Sequence, residues 1–326
     1  MEYKNIASKI KEQEESKFIN SNAQIKNLKS DYFIKKFFNY MYRRKSLDII
    51  KYNKNIQKRI NIDINNYKDY SEKYSSIEIE IIPMKNEYGK FIYIKKGNEK
   101  YYHIYFNDNK KKEIKRTYFE KNDEVTKINI IIDYQIISLQ NLFSECKCIE
   151  FMNFKKFYRN NIINMYNMFC DCSSLKELNL NNFNTNNVTN MRWMFSGCSS
   201  LKKLNLHNFN TYNVTNMGSM FRDCSSLEEL NLDKFNTDNV TEMGCMFNGC
   251  SSLKELNLDN FKTNNVTNMN GMFGGCSSLK ELNLNNFDTN NVSSMNDMFN
   301  GCSDELKLKI KSKYKNLKEE AFKNSY

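Results

Sequence analysis

The chain has 326 residues, a formal net charge of +11, one Pro and ten Cys. That length accommodates two domains, and no run of 18 or more apolar residues is present to span a membrane as a helix. The charge is uneven: residues 1–150 carry 30 Lys/Arg against 21 Asp/Glu, whereas residues 165–302 carry 9 against 13. A Lys-rich solvated surface accounts for the basic half, because no DNA- or RNA-binding motif interrupts it, so nucleic acid is not favoured as a partner.

In chain order, residues 1–30 are polar and read as a solvated helical leader. Residues 31–75 begin at a Ser/Asp start and place Phe33, Phe37, Phe38, Met41, Leu47, Ile50 and Ile56 at helical spacing, which predicts two or three packed helices. From Ile77 the texture changes to strands. "SIEIEII", "KFIYIKK", "KYYHIYF" and "TKINIII", with turns at "NEYG" and "KGNE", predict a small sheet over residues 76–135 that joins the segment beginning at Ile136.

That segment repeats one sentence. Cys172, Cys198, Cys224, Cys250, Cys276 and Cys302 are each 26 residues apart, and Phe169 to Phe299 keep the same step without an insertion. A fixed period of this length is the mark of a solenoid, in which each unit packs on its neighbours. Within a unit, Leu178 and Leu180 alternate with Asn179, so the leucines point inward and the asparagine outward. Val188, Met191, Met194, Phe195 and Cys198 recur at three- and four-residue steps, which predicts a short helical turn ended by a Gly such as Gly197. One step back, Phe143, Cys146, Ile149, Met152, Phe154 and Met165 stay in register, so "LFSECKCIEFMNFKKFYRNNIINMYNMF" is a degenerate first unit. The solenoid therefore occupies residues 136–302, six full units and a partial one. Residues 303–326 break the frame at Leu306 and read as a last strand and a charged helix that cap the open end. The fold class is an α/β repeat solenoid, parallel strands on one face and short helical turns on the other.

The string "MFSGCSSLKKLNLHNFNTYNVTNM" resembles the leucine-rich repeat of BspA-like bacterial surface proteins, a 26-residue unit also common in protist and mycoplasma proteins. The resemblance covers about residues 136–302 and implies the fold, together with a surface or adhesin role. The stretch "SLDIIKYNKNIQKRI" resembles an F-box-like module, although the usual Leu-Pro opening is missing. That resemblance implies a substrate receptor of a ubiquitin ligase, with a Skp-type adaptor bound at residues 31–75.

Catalytic chemistry has little support. Neither His103 nor His207 stands at a recognisable spacing from a nucleophile, no phosphate-binding glycine loop appears, and no cofactor is expected. The cysteines of the repeated column behave as small buried hydrophobes, in preference to metal ligands or disulfides. The Asn-Val-Thr/Ser triplets at Asn187, Asn213, Asn239, Asn265 and Asn291 match the glycosylation signal, yet one crowded column favours a stacked Asn ladder at a corner. Free thiols and the absence of an apolar leader place the chain in the cytoplasm, against the cell surface that the BspA-like resemblance implies.

The expected function is that of a non-enzymatic scaffold binding protein partners. Columns that repeat one residue are explained by the scaffold, and columns that vary are free to carry contacts. Glu229, Asn231, Asp233, Glu255, Asn257, Asp259 and His207 line the expected concave face. Arg192 and Trp193, in the most variable pair of the repeat, are a candidate convex contact, Trp193 either facing outward or packing on the small sheet.

Overall fold

In a computed structural model the described residues are 54–61, 65, 68 and 72–323. The chain divides into two compact units, Met1–Tyr74 and Ser75–Tyr326. In the first, helix α1 spans Lys54–Ile60, its Ile56 buried and its last turn basic with Lys58 and Arg59. The leader read at residues 1–30 lies outside the described residues, as does most of the region 31–75 that carries the F-box-like resemblance.

The second unit begins with strand β1 (Ile77–Pro83), which alternates buried and half-buried residues as its Ile-Glu-Ile-Glu pattern requires. After it come strands β2 (Gly89–Lys90), β3 (Tyr102–Phe106), β4 (Glu113–Ile114), β5 (Tyr118–Phe119), β6 (Ile128–Ile132), β7 (Ile149–Lys156) and β8 (Glu177–Asn179). Six of them form one sheet in the order β4-β3-β6-β1-β7-β8. Ile79 faces Ile130 of β6 on one side and Phe154 of β7 on the other, both in antiparallel register. β7 then pairs in parallel with β8, Met152 opposite Leu178. One strand thus belongs both to the antiparallel sheet and to the first repeat, and the sheet occupies the edge that the first repeat otherwise exposes.

"KFIYIKK" is not a strand beyond Lys90. Its alternate amides leave for different partners, Phe91 N–H to the Thr117 carbonyl (3.0 Å) and Tyr93 N–H to that of Leu142 (2.7 Å), so no single ladder forms. Phe91 is buried against Phe119, ring centroids 5.0 Å apart.

The later repeats are β-rich, with parallel strands in small sheets. Strands β9 (Lys203–Leu204) and β10 (Glu229–Leu230) pair in parallel, Leu204 opposite Leu230. Strands β11 (Glu255–Leu256) and β12 (Glu281–Leu282) do the same. A second line of parallel bridges runs without a break through Ser138, Asn164, Asn190, Asn216, Glu242, Asn268 and Ser294. Between these lines the column Phe143, Phe169, Phe195, Phe221, Phe247, Phe273, Phe299 stacks at centroid spacings of 5.5–5.8 Å with planes within about 11°. Each unit buries the same inward set, for example Leu204, Leu206, Phe209, Val214, Met217, Met220, Phe221 and Cys224. Burial of each such side chain is worth about 1.5–3 kcal/mol before chain entropy is subtracted.

The segment Met191–Cys198 is not a helix. Met194, Ser196 and Cys198 donate three residues back within their own unit, to Met191, Trp193 and Phe195. The amides between them, Trp193, Phe195 and Gly197, donate instead to Gly218, Met220 and Arg222 of the next unit. Left-handed residues at Trp193 (φ 60°) and Gly197 (φ 72°) turn every second amide outward and prevent a helix from propagating. A three- and four-residue apolar rhythm therefore belongs here to a string of tight turns.

The C-terminal segment also departs from expectation. "DELKLKIKSK" alternates like a strand but forms helix α2 (Asp304–Lys313), because Ser303 caps it by accepting from the Leu306 amide at 3.2 Å. Its Leu306 and Ile310 are buried, and a short 3-10 turn follows at Glu319–Phe322.

Candidate interaction surface

Strands β8 to β12 present one face to solvent. Its outward column Asn179, Asn205, Asn231, Asn257, Asn283 serves the backbone. Each side-chain carbonyl accepts the amide two residues on, at 2.9–3.2 Å, which bends the chain out of the strand. Asn231 and Asn257 thus hold the corner that positions the next residue of the strip. The variable column beside them carries Asn181, His207, Asp233, Asp259 and Asn285, all exposed.

Hollows lie along this face. One of about 520 Å³ brings together Glu228, Glu229, Asn231, Asp233, Lys254, Glu255 and Asn257 over a floor of Leu230. A second, about 630 Å³, joins Glu255, Asn257, Asp259 and Glu281 to the Lys309, Lys313 and Tyr314 side of α2. Six of the seven residues expected on this face therefore meet in two adjoining hollows. His207 lies in neither, and its ring and backbone amide both bond the Asn205 side chain. Glu229 pairs with Lys203 at 2.9 Å, and the carboxylate raises the Lys203 ammonium above its ordinary value. Asp233 accepts weakly from Asn257 (3.4 Å) and Asp259 from Asn283 (2.6 Å).

A third hollow, about 800 Å³, opens between β8 and β9. Lys176, Lys202 and Lys203 rim it, and Phe151, Leu178 and Leu180 floor it. Sequence comparison missed it because Phe151 belongs to the degenerate unit. The signal was present: Phe151 stands where Glu177, Lys203 and Glu229 stand in later units. The strand face thus runs from a basic, partly apolar end to an acidic one.

On the opposite side of the units, Trp193 finds its partner within the repeats. It is half-buried and stacks on Tyr166 of the preceding unit, ring centroids 6.1 Å apart, with the Arg192 guanidinium 5.3 Å from its own ring centre.

Elsewhere, His103 contacts Glu113 (2.9 Å) and Asp133 (3.5 Å) on the small sheet. All ten cysteines are free thiols. Among the described residues no group of three or more His, Cys, Asp or Glu is arranged to hold a metal, and no helix is long and apolar enough to cross a membrane. The asparagines of the Asn-Val-Thr triplets do not stack side chain on side chain. Asn213 and Asn239 donate to the Asn186 and Tyr212 carbonyls of the unit before, each at 2.7 Å.

The model of one family, described as "Mycoplasma protein of unknown function, DUF285", matches residues 137–231 and again 226–320, together more than half of the chain. The chain belongs to the DUF285 family. The two overlapping matches are the expected result when a model spanning several units meets a longer run of them. The second match continues past Cys302 to residue 320, so the DUF285 pattern takes in α2 and the residues that follow it up to Glu320. No curated protein and no solved structure matches the chain.

Proposed function

We propose that the DUF285 repeats form a right-handed solenoid of the leucine-rich-repeat kind, BspA-like in its unit, and that it serves as a non-enzymatic scaffold for a protein partner. The observation that carries the reading is the division of labour on the strand face. The Asn column is spent on backbone turns, while the varying residues beside it gather Glu229, Asp233, Glu255 and Asp259 around two hollows. A frame that holds its backbone constant and varies only the outward charge is suited to selective recognition. Ten free thiols support a reducing compartment, the cytoplasm, as the place where it acts.

The test reverses Glu229, Asp233, Glu255 and Asp259 together to Lys and compares partner capture from cells with that of the parent chain. The reading expects captured proteins to be lost while the melting temperature changes little, since all four side chains are exposed. Capture that survives the reversal removes the strand face as the functional surface.

A further inference from the structure

Trp193 carries two local costs. Its φ is 60°, in the left-handed region, where the same column elsewhere holds Asn141, Asn167, Ser219, Cys245, Gly271 and Asp297. A bulky residue there is unfavourable by roughly 1–2 kcal/mol relative to Gly. Its indole N–H is also buried with no acceptor, and an unmet donor of this kind is a further penalty. Neither cost is offset by a place in the core, for Trp193 lies outside the repeated inward column and remains half-buried.

What the tryptophan does provide is a support for Arg192. Tyr166, Trp193 and Arg192 form one stack across two units. Arg116 bonds Asp123, Arg159 bonds the Asp133 carbonyl and Arg222 bonds Asp223. Among the described residues no acceptor reaches the guanidinium of Arg192, which is exposed with its donors free. Arg222, in the adjoining unit, is exposed as well.

We infer that Tyr166, Trp193 and Arg192 are a docking platform for an acidic segment of a protein partner, a carboxylate of that segment taking the free guanidinium fork. A carboxylate matches the planar fork in a bidentate pair, and stacking on the indole holds the fork in one orientation before binding. The exposed Asp171 and Asp223 on the same side repel a continuous polyanion but leave room for single, spaced carboxylates. The platform lies off the strand face, so it stands or falls independently of the function proposed above.

Trp193 is the chain's one tryptophan and reports on its own site. The full-length protein is titrated with a blocked peptide of alternating Glu and Leu, followed by tryptophan emission and in parallel by calorimetry. Control arms use the same peptide with Gln for Glu, inorganic phosphate and a single-stranded oligonucleotide. The Glu peptide is expected to bind saturably and the other three weakly or not at all. Arg192→Ala should weaken the Glu peptide about tenfold, as loss of an interface anchor does, and Arg192→Glu should transfer the preference to a Lys-Leu peptide. Absence of calorimetric binding, binding indifferent to Arg192→Ala, or a preference for the oligonucleotide overturns the proposal.

Discussion

The thiol of Cys224 donates to the backbone carbonyl of Phe195 in the preceding unit, Sγ to oxygen 3.1 Å. Cys172, Cys198, Cys250, Cys276 and Cys302 repeat the contact at 3.0–3.2 Å. The same side chain fills an apolar column and gives a buried carbonyl a weak donor. Burial pushes these thiols up, Cys224 to about 12 and Cys198 well above the ordinary thiol range.

Burial also ranks the cysteines by reactivity. Cys245 is half-buried and outside the column, on the side of Arg192 and Arg222. It is expected to alkylate first in the native protein, whereas Cys198, Cys224, Cys250 and Cys276 should react only as fast as the repeats open. Mass mapping after timed iodoacetamide exposure checks this. Early modification of Cys224, or rung-to-rung disulfides in freshly isolated protein, contradicts it.

The same thiols set an alkaline limit. A thiol raised from an ordinary value of 9.0 to about 12 in the folded chain holds its proton where the unfolded chain has lost it. Its contribution is complete below pH 9.0 and is lost as pH rises toward 12. In that window each such thiol removes about 1.4 kcal/mol of stability per pH unit. Denaturant midpoints should therefore fall steeply above the ordinary thiol value, and Cys224→Ala should flatten the slope while lowering the plateau. A slope unchanged by Cys224→Ala separates the alkaline loss from the thiol column.

Leu230 and Asn231 are adjacent and separate packing from turn geometry. Leu230 is buried opposite Leu204, so Leu230→Asp should cost at least several kcal/mol, because a carboxylate enters an apolar column unpaired. Asn231 accepts the Asp233 amide at 2.9 Å. Asn231→Asp keeps an acceptor and should be mild, whereas Asn231→Ala should lose about 0.5–1.5 kcal/mol with that bond. Urea midpoints of the three variants order these effects, and equal losses for Leu230→Asp and Asn231→Asp refute the inward and outward assignment.

The repeat was legible because its inward residues recur at an unbroken 26-residue step, and Leu178, Phe195 and Cys198 are buried as their columns require. Misreadings arose where one spacing serves two backbones. Met191, Met194, Phe195 and Cys198 have helical spacing, yet alternate amides bond the next unit, a relation between chain segments that local periodicity does not encode. "LKLKI" reads as a strand until the Ser303 cap makes it a helix. On the strand face the acidic strip was visible in the varying column, and the unvarying Asn column pointed to the scaffold, but the turn bond that Asn231 makes was not legible. Its turn bond reaches only two residues along and looks the same as an exposed contact residue in sequence. The Phe151 hollow escaped because its floor combines residues from two units of which one is degenerate.

The end of the array yields the last prediction. Residues 314–322 imitate the unit that would come next. Asp297 and Phe299 donate to the Glu320 and Ala321 carbonyls as Gly271 and Phe273 donate to Asn296 and Met298. Thr289 donates to the Asn316 carbonyl as Thr263 does to that of Asp288. Phe322 stacks on Phe299 at 5.3 Å and extends the phenylalanine column past its last repeat. The Tyr314 hydroxyl accepts the Leu284 amide (3.0 Å) and donates to Asn283 (3.1 Å). Tyr314→Phe should thus leave a buried amide unmet, a loss of about 1–3 kcal/mol, and Phe322→Ala should expose one ring face of Phe299. Because each unit leans on its neighbours, the damage should start at this end. Hydrogen exchange at Asp297 and Phe299 should accelerate in both variants before it does at Phe195 and Phe221. Equal acceleration along the whole column would mean that the units open as a single block and that the closing segment stabilises all of them together.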